Sequence, residues 1–484
     1  MNYKMMGRFI CRILALETVF MIPACIISLF DRNWNGAQSF LAAMGITLLA
    51  SLALFLWSKG YKQKFYAKEG LVCVGLSWIM MSIFGCLPFY ISGEISSFVD
   101  ALFEIVSGFT TTGASILSNV EGLSRGMLYW RSFSHWLGGM GVLVFLLAIA
   151  SANEGKSGFT MHLLRAESPG PNVGKLVPHM KKTARLLYYM YILLTVLDFI
   201  FLVIGNMPIF DAVCTAFGTA GTGGFGIKND SIMSYSPYIQ NVCTVFMLLF
   251  GVNFGCYYLL MVKQIKSVFK DEELRFYVGM VVASIVLIVW NLGSYYDTFE
   301  ETVRHSAFQV ATVVTTTGFS TTDFDLWPSF SKTILFLLMF MGACAGSTGG
   351  GFKCGRVLLI FKSLKRSIQQ IVHPQKVQVV RLNGQVVDEK VLQNTNAYLA
   401  AYVLIIVGSF LIVSLDENTI ATNFSAVVAC FNNIGPGFEG VGPVCNFGGF
   451  SILSKLVLII DMLAGRLEIF PILIFVSKST WRNR

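Results

Sequence analysis

Four segments decide the fold: Asp100-ALFEIVSGFTTT-Gly113, Asp211-AVCTAFGTAGTG-Gly224, His305-SAFQVATVVTTT-Gly318 and Thr422-NFSAVVACFNNI-Gly435. Aligned on the last glycine without gaps, they set Asp100 against Asp211, Phe103 against Phe308, and Thr111-Thr112 against Thr316-Thr317. Self-similarity recurring about every hundred residues is an internal repeat, and it governs every other reading of the chain.

Each segment reads as a helix of about nine to eleven residues followed by a loop, and a helix that short cannot cross a bilayer. It must enter and leave on one side. Irregular backbone at membrane depth is tolerated only where protein buries it or where it lines an aqueous cavity. Carbonyls lining a cavity are cation ligands, and in a selectivity filter they replace the ion's hydration shell. Glycine suits the apex because a chain turning successive carbonyls toward one axis visits backbone angles closed to residues with a Cβ. Thr112, Thr317 and Asn433 offer hydroxyl or amide oxygens, and each helix points its negative dipole end at the path, which favours a monovalent cation. A single copy would read as a glycine-rich turn. Four in register, all on the outer side, read as one pathway.

The remaining sequence supplies the membrane. Hydrophobic residues make up 55% of the 484 and charged residues 13%, about half the ~25% charge of a soluble domain. The 45 glycines suit closely packed membrane helices. Eleven cysteines stand singly without metal-ligand spacing and read as packing residues. Apolar stretches near 9–30, 39–58, 71–92, 133–152, 186–206, 239–261, 276–293, 333–359, 396–415 and 453–477 predict ten spans. The first exceeds the ~7–15-residue core of a signal peptide. With the N-terminus in the cytoplasm, 28 of the 36 Lys and Arg fall on the inner side. That asymmetry sets both termini inside and assigns the net charge of +9 to orientation, not to nucleic acid. The expected division is an N-terminal two-helix segment at 1–69, then pore repeats at 70–153, 184–262, 273–363 and 392–484.

The motifs TTTGAS at 110–115, TGGFG at 222–226, TTTGFST at 315–321 and NNIGPG at 432–437 resemble the Trk/Ktr/HKT superfamily of potassium transporters, and most of all its bacterial TrkH-type membrane subunits. The resemblance covers nearly the whole chain. It implies an all-α integral membrane protein in which four tandem helix, pore-loop and helix repeats form a pseudo-fourfold, channel-like arrangement beside an N-terminal helix pair. The ion site it implies comprises Thr111, Thr112 and Gly113, Thr222, Gly223 and Gly224, Thr316, Thr317 and Gly318, and Asn433, Ile434 and Gly435, with K+ as the permeant ion. Members with serine at the first filter position tend to admit sodium, so Gly113 favours potassium. The resemblance also implies a homodimer with one pore per protomer, in the bacterial inner membrane among its lipids, and a cytoplasmic RCK-type nucleotide-binding regulatory subunit.

Two features suggest an inner barrier. Arg466 lies roughly 18 Å from either end of the last span, where an arginine costs several kcal/mol unless it meets a partner or water. It reads either as a pore charge or as half of a buried pair with Asp461 or Glu468. The resemblance favours the pore. Gly342–Arg356 is too rich in glycine for a continuous helix, so an unwound gate comprising Gly346, Ser347, Thr348, Gly349, Gly350, Gly351 and Lys353 is expected, with a small-residue helix contact as the alternative.

Gly221-T-Gly223-G-F-Gly226 and Gly435-P-Gly437-F-E-Gly440 satisfy a dinucleotide-binding pattern, but neither lies between a strand and a helix. His135 reads as packed or interfacial, and Glu104 either braces the filter or merely satisfies backbone donors. No convergent acid, base and nucleophile set suggests an enzyme. A coupled symporter, of potassium with protons or sodium, remains the alternative to channel-like uptake, as does a less selective potassium and sodium pathway. The repeats share one orientation, unlike inverted-repeat transporters.

Overall fold

Among the described residues, six helices are long and apolar enough to cross a bilayer: Tyr3–Phe30, Trp34–Trp57, Lys68–Ser92, Arg185–Ile204, Glu272–Leu292 and Glu389–Asp416. The computed structural model describes residues 1–60, 67–139, 141, 180–293 and 295–481. The first two helices form the N-terminal pair, joined by a tight turn in which the Asn33 side chain accepts from the Gly36 N–H at 3.0 Å. The other four open the four repeats.

Of the ten expected spans, the trailing ones are built on short helices, and the break expected at the glycine-rich stretch of the third is present. Arg125–Gly139, Pro237–Phe250, Ser329–Met339 and Ile452–Arg466 hold 15, 14, 11 and 15 residues. At 1.5 Å per residue they reach about 16–23 Å, short of the ~30 Å hydrocarbon core. Each stops for a local reason. The first is helical through Gly139, and Gly141 beyond it takes φ of 72°. The second breaks at Gly251, and Asn253 caps a new helix, Phe254–Met261, that turns away by 87°. The third runs into the glycine-rich stretch and resumes only at Cys354–Val372. The fourth breaks where Glu468 and Ile469 take φ of 55° and 64°, before Phe470–Val476. The fourth expected span beyond residue 141 and most of the basic link near 153–185 lie outside the described residues.

The pore helices are Phe98–Phe109, Ile209–Gly221, Phe299–Val314 and Ile420–Phe431, of 12, 13, 16 and 12 residues. They are longer than expected because Ser97, Thr298 and Thr419 cap three of them upstream, accepting from the N–H groups of Asp100, Glu301 and Thr422. At about 18–24 Å they still turn back without crossing. A two-stranded antiparallel hairpin, Arg381–Leu382 with Gln385–Val386, interrupts the helical pattern. Its Asn383-Gly384 turn has φ of 50° and 76°, the left-handed pair of a tight hairpin turn.

Candidate ion pathway

The four pore helices end alike. Thr111, Thr222, Thr316 and Asn433 take φ of 55°, 54°, 58° and 55°. The next N–H, on Thr112, Gly223, Thr317 or Ile434, donates five residues back to Ser107, Gly218, Thr312 or Ala429 at 2.8–2.9 Å. This closes each helix in the manner usually assigned to glycine. One residue further on, Gly113, Gly224, Gly318 and Gly435 have φ of 83°, 73°, 90° and 98°. The sequences differ among repeats, but the backbone is the same four times.

The four loops meet in a ring. A Cβ on Gly113 would strike the carbonyl oxygen of Gly223, one on Gly224 that of Thr317, and one on Gly318 that of Ile434. A Cβ on Gly435 would lie 2.8 Å from the carbonyl oxygen of Thr112, which returns the ring to the first repeat. Each glycine therefore abuts the carbonyl of the next repeat, with no room for a side chain.

Side chains brace this ring. The Thr112 hydroxyl pairs with Thr110 at 2.7 Å, and Thr317 pairs with Thr315 at 2.8 Å. Asn433 Nδ2 donates to Thr112 Oγ1 and to the Met462 carbonyl, both at 2.9 Å. Glu104 is fully buried and accepts from Arg131 Nε at 2.6 Å, the Ser115 hydroxyl at 2.9 Å and the Ile116 N–H at 3.0 Å. Arg131 also donates to the Gly226 carbonyl at 2.9 Å. Glu104 thus both braces the loop and satisfies backbone donors, tying the first outgoing strand to the second. His135 is packed, as its setting suggested: its Nε2 accepts from Phe225 N–H, so Nδ1 donates to the Gly108 carbonyl at 2.8 Å. At the outer rim Asp325 accepts from the Glu439 N–H at 2.7 Å, and burial raises its carboxyl above the ordinary value.

The glycine-rich stretch is unwound from Phe340 to Lys353. It lies against the ring on the side where the pore helices end. The Gly350 N–H donates to Thr316 Oγ1 at 2.6 Å, and a Cβ on Gly350 would lie 2.8 Å from Asn433 Cβ. Gly346 accepts from Phe254 N–H at 3.0 Å across the break in the second repeat, and Thr348 donates to the Phe250 carbonyl. Ser347 bonds within the stretch to the Cys344 carbonyl at 2.7 Å. Gly349 accepts from the Lys353 ammonium, which curls back into the protein. Gly351 completes the return with φ of 68°.

Arg466 closes the helix Ile452–Arg466 and reaches across this layer. It donates at 2.8 Å to the Thr348 carbonyl of the third repeat and at 2.8 Å to the Gly139 carbonyl of the first. The two acids considered as its partners are engaged elsewhere: Glu468 with Arg356, and Asp461 with the Ser409 hydroxyl at 2.7 Å. Sequence reasoning missed Arg131 and Glu273 as supports, and missed the break at Gly251. The paired Gly251 and Asn253 were the available signal for the break.

The description "Cation transport protein", that of the TrkH family, matches residues 36–482. The chain belongs to the TrkH family. Similar TrkH-family members include the Trk system potassium uptake protein TrkH of Salmonella typhimurium, 34% identical over the full length of both chains. Another is the Trk system potassium uptake protein TrkG of Escherichia coli, 32% identical over 97% of this chain and 96% of that one. The crystal structure of the potassium transporter TrkH from Vibrio parahaemolyticus superposes with a TM-score of 0.89 at 31% identity, covering both chains completely. With its family fold and apolar helices, the TrkH-family chain is a multi-pass membrane protein.

Proposed function

We propose that the chain takes up potassium by channel-like permeation through the ring of carbonyls. The carrying observation is the closed contact of each glycine with the next repeat's carbonyl. Thr111, Thr112, Gly113, Thr222, Gly223, Gly224, Thr316, Thr317, Gly318, Asn433, Ile434 and Gly435 form the ion site, in which backbone oxygens replace water around K+. The names of the full-length relatives support the choice of ion.

The stretch Gly346–Gly351 with Lys353 acts as the gate, and Arg466 as the charge that must leave the axis before ions pass. Its guanidinium bridges two repeats through the carbonyl oxygens of Thr348 and Gly139. A cation on the same axis is repelled while Arg466 stays there.

The chain is divided into a helix pair at 1–69 and repeats at 70–153, 184–262, 273–363 and 392–484. It pairs into a homodimer in the lipid of the bacterial inner membrane with both termini in the cytoplasm, where an RCK-type nucleotide-binding subunit engages it. The basic inner segments support this orientation. Expression in a bacterium stripped of its own potassium uptake tests the reading. Growth at low external potassium is the expected result, and membrane-inserted protein that restores no growth, even alongside an RCK-type subunit, contradicts it.

A further inference from the structure

Glu273 is a buried carboxylate that the pathway does not use. It sits in the first turn of the third repeat's leading helix, which Asp271 caps by accepting from the Leu274 N–H at 2.8 Å. One oxygen, Oε1, accepts two backbone N–H groups, from Ala345 at 2.6 Å and from Gly355 at 2.9 Å. These donors stand on either side of the loop Gly346–Lys353, so a single atom pins both of its ends. Gly355 is small for this reason: a Cβ there would lie 3.0 Å from Oε1 and 3.2 Å from the carboxyl carbon. Gly355 also lies in the first turn of the helix Cys354–Val372. The carboxylate therefore rests between the positive ends of two helices, which offsets the cost of burying it.

The two residues before Glu273 are held by the turn of the hairpin. Asn383 accepts from the Glu272 N–H at 2.8 Å, donates its own N–H to Glu272 Oε1 at 3.1 Å, and donates Nδ2 to Asp271 Oδ2 at 2.8 Å. Lys362, on the helix that leaves the loop, bonds to Glu272 and, at 2.7 Å, to the Arg381 carbonyl. Leu359 of that helix packs with Val380 and Leu382 of the hairpin.

We infer that Glu273 is a positioning residue that clamps the glycine-rich loop against the ring and couples it mechanically to the hairpin at Arg381–Val386. A push or pull on the hairpin then reaches the loop through Asp271, Glu272 and Glu273, a run of three residues bonded at each step. The inference deepens the gate assignment and rests on it for its effect on transport. The clamp itself stands on the bonding.

The test uses full-length protein in liposomes carrying Cys445→Ser, which removes the exposed cysteine among the described residues, and Ser347→Cys as a reporter in the loop. Labelling by a water-soluble maleimide and rubidium flux are measured in parallel. Removing the shared acceptor with Glu273→Ala is expected to raise the labelling rate about tenfold, and Glu273→Gln, which keeps a carbonyl oxygen, by less. Asn383→Ala is expected to raise it as well, and the double variant no further than Glu273→Ala alone, because both act on one linkage. Gel filtration identifies folded variants. Unchanged labelling in folded Glu273→Gln and Glu273→Ala protein overturns the clamp, and independent, additive effects overturn the coupling to the hairpin. Faster labelling with unchanged flux upholds the clamp and removes the gate assignment instead.

Discussion

Thr111, Thr222, Thr316 and Asn433 hold a left-handed backbone conformation that costs an L-residue roughly 1–2 kcal/mol, and they hold it at the same place in four repeats. The bonding of Thr316 to Gly350 and of Asn433 to Thr112 shows what offsets that cost at two of them. At Gly113 the conformation and the contact act together, because a side chain would be strained at φ of 83° and would strike the Gly223 carbonyl. Gly113→Ser is expected to lower the preference for potassium over sodium about tenfold, the equivalent of ~1.4 kcal/mol, as read from bi-ionic flux. Arg466→Ala removes the charge from beneath the ring and is expected to raise rubidium flux severalfold. Flux unchanged from the parent would take Arg466 out of the gate. Glu104→Ala leaves the buried Arg131 guanidinium without its carboxylate and is expected to destabilise the protein by about 3 kcal/mol, measured by thermal unfolding in detergent.

The elements divide by how local their causes are. Pore helices and their glycines were legible because each repeat writes its own apolar run and apex within a few residues. The unwound stretch after Met339 was legible from its run of glycines. The break at Gly251 was not, because one glycine inside an apolar run is compatible with a helix, and Asn253 turns the chain only through its cap on Gly255 N–H at 2.7 Å. Loss of that cap in Asn253→Ala is expected to cost about 1 kcal/mol, seen as a lower midpoint of thermal unfolding. The hairpin was missed although Asn383-Gly384 is a strong local turn signal, since its strands are two residues each. Glu273 was beyond reach for another reason: its partners lie 72 and 82 residues downstream, and no pattern around it announces them.

At the scale of the molecule, the unequal repeats still make one ring. The first and third share their threonine pairs, whereas Gly223 and Ile434 stand in the second and fourth where the others have threonine. Backbone oxygens can keep fourfold order despite this, but the side-chain bracing cannot. With such uneven bracing, the proposed filter is expected to discriminate less sharply than one of four identical strands. The glycine-rich loop bonds to Thr316 of the ring, and Arg466 bonds to the Thr348 carbonyl of that loop, so the ring, the loop and Arg466 form one stack. The central claim is that this stack passes potassium in preference to sodium. Purified protein in liposomes, with rubidium uptake measured against a potassium or a sodium gradient, tests it most directly. The account predicts uptake driven by trapped potassium, inhibited by external potassium and little affected by equal sodium; sodium that competes as well as potassium, in folded protein that transports rubidium, would contradict it.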